Sequence, residues 1–215
     1  MLIDSSELFI QPVASLVEDI SSLQTGPIRI GVPGGRGAKS VVQGILSLEK
    51  DILSRVELYL IDERLSGETN RETLLSYGLQ SAIEKGLFLT TQLIIPILGT
   101  PFIKNGFLDL LFVGVGEDGH IASLFPQSYK KSPSDDIILV TDSPKPPLER
   151  VSISYAALSR YASVSKVFLL FFGSAKEGSL VKFLHDEGSI EDLPVRYFLD
   201  TQYDVTLVTD IKVRG

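Results

Sequence analysis

Short, wholly apolar runs alternate along the chain with stretches in which apolar residues recur at helical spacing. The runs predict strands buried on both faces and the stretches predict helices lying across them. Their alternation is the rhythm of an α/β fold with a mostly parallel sheet. Residues 5–23 place Leu8, Val13, Leu16, Val17 and Ile20 on roughly one helical face. Ile28–Val32 is a first strand, broken by Pro33-Gly34-Gly35-Arg36-Gly37, and residues 38–49 form a second helix. Residues 56–61 are a strand ending at Asp62-Glu63-Arg64, and residues 70–83 have helical spacing. Residues 93–98 are apolar, but Pro96 argues against a central strand there. Residues 108–113, 150–154, 166–172 and 205–208 are the other strand candidates. Helices are predicted over Tyr155–Tyr161 and from Gly173-Ser174 to about His185. Residues 128–148, rich in Ser, Pro, Asp and Lys, should wrap the surface around a short strand at 137–141. Nothing divides the chain, so residues 1–215 are expected to form one domain.

The most informative segment is Leu110 to Pro126, LLFVGVGEDGHIASLFP. An apolar strand is interrupted by Gly114 and Gly116, and an acid, a glycine and a histidine follow at once. A parallel sheet delivers its chemistry just past the C-terminal ends of strands, which is where His120 falls. Asp118, two residues earlier, is close enough to orient an imidazole, and Gly119 lets the backbone bring both toward one ligand. His120 is therefore a candidate general base. His185, beside Asp186 and Glu187 near a predicted helix end, reads as a solvated cation.

A second glycine-rich strand end, Gly31 to Ser40, opens a helix, where backbone amides and the positive end of the helix dipole suit a phosphate. Its glycine spacing fits neither a dinucleotide-binding fingerprint nor a P-loop. Asp62-Glu63-Arg64 also follows a strand, either as a salt-bridged corner or as part of a site. Lys176 in the first turn of a helix opposes the dipole and is poorly explained unless an anion lies nearby.

The net charge of −7, with no basic cluster, argues against a nucleic-acid partner, while leaving room for cations gathered in a cleft. The lack of cysteine removes disulfides, thiol catalysis and Cys-based zinc sites. Two widely separated histidines offer no His-rich metal centre, so neither metal nor cofactor is expected. No Gly-x-Ser-x-Gly segment marks a serine hydrolase. Acids in the first twenty residues do not suit a signal peptide, and no apolar run approaches membrane-spanning length. A cytoplasmic location without a membrane partner is expected; the sequence assigns no oligomeric state.

Gly114 to His120, Gly-x-Gly-x-Asp-Gly-His, is similar to the motif shared by 6-phosphogluconolactonases and glucosamine-6-phosphate deaminases. The continuation Ile121-Ala122-Ser123-Leu124-Phe125-Pro126 resembles the lactonase form. Asp62-Glu63-Arg64, followed by Thr69-Asn70, resembles that family's Asp-Glu-Arg with its downstream Ser-Asn. Arg150-Val151-Ser152-Ile153-Ser154 resembles its Arg-Ile-Thr-Leu-Thr, and Gly173-Ser174-Ala175-Lys176 its Gly-x-x-Lys. The family's Ser-Gly-Gly-Ser-Thr-Pro loop is matched only in its glycines, Gly34 and Gly35. Arg36 either supplies a charged fork in place of the missing hydroxyls or marks an altered ligand.

The resemblance implies a three-layer, Rossmann-like α/β/α sandwich and hydrolysis of 6-phospho-D-glucono-1,5-lactone. It implies His120, Asp118 and Arg64 as catalytic residues, with Arg64 facing either the phosphate or the carbonyl oxygen. Gly34, Gly35, Arg36, Arg150 and Lys176 would bind the sugar phosphate. Two other readings stay open, a deaminase or isomerase on the same fold and a non-catalytic sugar-phosphate binder.

Overall fold

The computed structural model describes residues 1–127, 135–199 and 202–212. Part of the predicted surface segment, residues 128–134, lies outside them. In chain order the strands are β1 (Ile28–Val32), β2 (Val56–Leu60), β3 (Asp62–Arg64), β4 (Leu93–Ile94), β5 (Leu110–Gly114), β6 (Ile137–Val140), β7 (Arg150–Ile153), β8 (Lys166–Phe171) and β9 (Asp204–Thr209). The helices are α1 (Ile10–Leu23), α2 (Gly37–Leu46), α3 (Lys50–Leu53), α4 (Asn70–Leu74), α5 (Gln80–Glu84), α6 (Tyr155–Tyr161) and α7 (Glu177–Leu184). Six strands make one sheet in the order β4-β2-β1-β5-β8-β9, parallel at every pairing.

The strands are apolar on both faces because both faces are covered. Ile28, Ile30 and Val32 of β1, with Leu110 and Phe112 of β5, point into one core, shared with Phe9, Val13 and Val17 before and within α1 and with Val41 and Ile45 of α2. Leu111 and Val113, one residue out of phase, point into the other, with Leu158 of α6 and Leu180 of α7. Period-two alternation thus divides each strand between two cores, at about 1.5–3 kcal/mol for each large apolar side chain fully buried.

Three expectations are corrected. The helix after β1 stops at Leu46, and α3 follows as a separate turn. Residues 70–84 are not one helix: Gly78, at φ 123°, sits in a wide turn between α4 and α5. Most consequentially, the strand predicted at 150–154 does not join the main sheet. β3, β7 and β6 form a separate antiparallel sheet, with Asp62 opposite Ser152 and Arg64 opposite Arg150. Its Val151 and Ile153 pack into the core with α6 and α7, so one outer layer is part helix and part sheet. Pro96 has the predicted effect, since β4 is a two-residue edge strand that ends before it. Among the described residues no helix is long and apolar enough to cross a membrane.

Candidate active site

From β1 the chain proceeds to β2 and β4 on one side of the sheet, and from β5 to β8 and β9 on the other. The order reverses between β1 and β5, so the loops leaving their C-terminal ends diverge and leave a crevice. A cleft of about 330 Å³ lies there. Gly34, Gly35, Arg36, Arg64, His120, Arg150 and Lys176, drawn from five separate segments, all line it. Asp118 stands behind His120.

The first wall is the turn from β1 into α2. Gly35 has φ 72°, the left-handed region that suits glycine, and the amides beyond it begin the helix. A Cβ on Gly34 would lie 2.0 Å from Asn70 Oδ1, so only glycine lets that side chain lie against the loop. The exposed Arg36 is the residue immediately before α2.

The second wall is the turn after β5, closed by Gly116 N–H donating to His120 O at 2.9 Å and Gly119 N–H donating to Gly116 O at 3.1 Å. His120 Nδ1 and Asp118 Oδ1 are 2.5 Å apart, and the His120 amide donates to the same oxygen at 3.2 Å. Phe125 supports the imidazole, with ring centroids 4.7 Å apart. Burial would raise the Asp118 carboxyl, but the hydrogen bonds and charge of His120 outweigh it and hold it at about 2. With Nδ1 committed to a carboxylate, Nε2 is the nitrogen left to exchange a proton.

The floor holds a buried polar network around Asp62, which the sequence marked only as part of the Asp62-Glu63-Arg64 segment. Asp62 is buried and accepts from Ser123 Oγ at 2.7 Å and Asn70 Nδ2 at 3.0 Å. Burial raises its carboxyl above the ordinary value, against the pull of Ser123, Arg150, His120 and Arg64. Ser123, fully buried, also donates its amide N–H to Ser152 Oγ at 3.1 Å. Glu63 instead serves the backbone: it accepts from the amides of Arg64, Asn70 and Arg71 at 2.6–2.8 Å.

Arg64 donates Nη1 to Glu68 O at 2.8 Å, while its buried Nε has no acceptor among the described residues. Arg150 donates to the carbonyls of Pro147 and Lys145, and its guanidinium lies 5.4 Å from the Phe125 ring centre. Lys145, unnoticed in the sequence, also lines the cleft and meets Glu117 at 3.4 Å. Burial first, then the charge of Arg36, push the Lys176 ammonium down to about 8, against the pull of Asp210 and Glu117. Among the lining residues five cations (Arg36, Arg64, Lys145, Arg150, Lys176) face two carboxylates, Asp62 and Glu117. In a chain of net charge −7 this local excess selects an anion. Among the described residues no group of three metal-ligating side chains is placed to hold a metal ion. His185 caps the end of α7, remote from the cleft lining.

A family model described as glucosamine-6-phosphate isomerases/6-phosphogluconolactonase matches residues 89–207. A putative 6-phosphogluconolactonase of Caenorhabditis elegans is 31% identical over 186 residues, covering 75% of this chain and 69% of that protein. The 6-phosphogluconolactonase of Borreliella burgdorferi is 30% identical over 201 residues, 85% of this chain and 83% of the relative. The crystal structure of a 6-phosphogluconolactonase from Thermotoga maritima shares the fold, with TM-score 0.75 over 97% of both chains at 19% identity.

Proposed function

This chain belongs to the glucosamine-6-phosphate isomerase/6-phosphogluconolactonase family, and on that premise we propose that it hydrolyses 6-phospho-D-glucono-1,5-lactone to 6-phospho-D-gluconate. The observation that carries the reading is the His120–Asp118 pair set in a cleft with a surplus of cations. A lactone is an activated ester, so one positioned base and one water suffice. Neutral His120 takes a proton on Nε2 as the water oxygen bonds to C1, while Asp118 steadies the imidazolium. The carbonyl oxygen becomes negative in the tetrahedral intermediate. When the bond from C1 to the ring oxygen breaks, His120 returns the proton to that oxygen, and the new carboxylic acid loses its own to solvent. The unpaired Nε of Arg64 supports a role as donor to a substrate oxygen, carbonyl or phosphate. The Gly34-Gly35 amides, Arg36, Arg150 and Lys176 anchor the phosphate and so fix the distance to C1.

The deaminase reading finds less support, because residues 121–126 after His120 carry no acid. The pathway step, second in the oxidative pentose phosphate route, and a cytoplasmic setting are part of the same proposal. Lactone hydrolysis measured above its spontaneous rate tests it. A purified chain that leaves that rate unchanged, yet binds 6-phosphogluconate, is a sugar-phosphate binder instead.

The cations add a linked expectation. Arg36→Ala should raise KM about ten- to hundredfold and lower kcat much less, as loss of a charged hydrogen bond made in ground and transition state alike does. Lys176 carries its charge below about pH 8 and loses it above. KM of the parent should therefore climb on the alkaline side of that value. Removing Arg36 removes a positive neighbour of Lys176, so the climb should move to higher pH in the variant. KM profiles of the two proteins check both statements, and identical profiles would show that Arg36 and Lys176 do not share a ligand.

A further inference from the structure

We infer that Lys145 is a further phosphate-binding cation of this cleft, held by Glu117 until the sugar phosphate binds and then released to its phosphate. The inference deepens the lactonase reading and rests on it for the identity of the ligand. Lys145 lies on the connection between β6 and β7 and lines the cleft opposite the β5 turn. Its ammonium and Glu117 Oε2 are 3.4 Å apart, with the two side chains 54% and 55% exposed. A pair so exposed is weak and exchanges partners easily. Lys145, Arg36, Glu117 and Lys176 line the same cleft, and the charges of the first three act on the Lys176 ammonium together with that of Asp210. A phosphate dianion arriving there offers Lys145 a stronger partner than one screened carboxylate.

Glu117 also belongs to the turn that carries His120, and that turn is fixed independently of the ion pair. Gly116 O accepts from Ser179 Oγ at 2.9 Å, and Val115 N–H donates to Leu170 O at 3.1 Å. The Glu117 side chain is therefore free to swing away while the base stays in place. An unphosphorylated lactone provides no dianion to displace Glu117 and leaves Lys145 where it is. The pair thus acts as a filter for the phosphate group, favouring phosphorylated over plain sugar acids.

Calorimetric titration of 6-phosphogluconate into the parent, Lys145→Gln, Glu117→Gln and the double variant tests this. Both side chains are half exposed, so the folded protein is available in every case. Lys145→Gln should weaken binding about tenfold, the lower end for a charged hydrogen bond. Glu117→Gln should tighten it about threefold, the scale of one exposed ion pair. In the double variant the tightening should vanish, because the competitor no longer has a cation to compete for. If Glu117→Gln tightens binding equally with and without Lys145, Glu117 merely repels the ligand and the handover is wrong. Unchanged affinity in Lys145→Gln overturns it as well, as does a parent that does not bind 6-phosphogluconate. The lactonase assay is separate: the expected binding pattern without hydrolysis keeps the handover and removes the proposed function. Hydrolysis with parental KM in all three variants does the reverse.

Discussion

Replacing His120 by alanine is expected to lower kcat by about 10²–10⁴, the usual contribution of a positioned acid–base group. KM should change little, because the phosphate anchors lie on other segments of the cleft. Folding should survive, since the turn is held by the backbone bonds Gly116 to His120 and Gly119 to Gly116. Asp118, held at about 2, stays ionised above that value and keeps its grip on Nδ1. Steady-state kinetics with thermal unfolding of the same samples decides the matter. A variant that unfolds normally and keeps parental kcat removes His120 from the chemistry.

Gly116→Ala should be nearly as damaging without touching any reacting group. A Cβ there would fall 2.0 Å from His120 Nδ1 and 2.7 Å from Asp118 Oδ1, distances no real contact reaches. The imidazole has to turn away and its bond to Asp118 has to break. Misplacement of a catalytic group by about 1 Å costs on the order of 10²-fold in rate, which is the loss in kcat expected. Binding of 6-phosphogluconate should stay near parental, because Gly34, Gly35 and Lys176 are not displaced. Parental kcat in this variant would mean that the 2.5 Å contact between His120 and Asp118 does not set the rate.

What could be read in the chain beforehand follows the range of the signal. The glycine turns after β1 and β5 are local, each an apolar run ended by glycine, so both cleft walls and His120 were legible. The antiparallel sheet was not. Asp62 and Ser152 pair across some ninety residues of chain, and the wholly charged β3, Asp62-Glu63-Arg64, has none of the apolar pattern that marks a strand. Asp62, Asn70 and Ser123 each stand in a motif singled out in the sequence, but their union in one buried network was not legible, for a related reason. Each is an ordinary polar residue until the fold buries it, and only then must it find the partners it has. Lys145 sits in a segment read as surface, and its side chain is indeed half exposed; only the fold shows that this surface borders the cleft.

Ile61 separates the two sheets by a single residue. Its N–H donates to Val32 O of the main sheet at 3.1 Å, and its carbonyl accepts from Ile153 N–H of the small sheet at 2.8 Å. The base and the glycine loop ride on one side of that joint, Arg64 and Arg150 on the other. The two sheets are held together at this joint by the two peptide groups of one residue, and beside it by the Asp62–Ser123 and Ser123–Ser152 hydrogen bonds and the core under Val151 and Ile153. The spacing between the two sets of groups is thus a property of the packing beneath the cleft, and a change in that packing would alter the reach of the site with every lining residue left as it is.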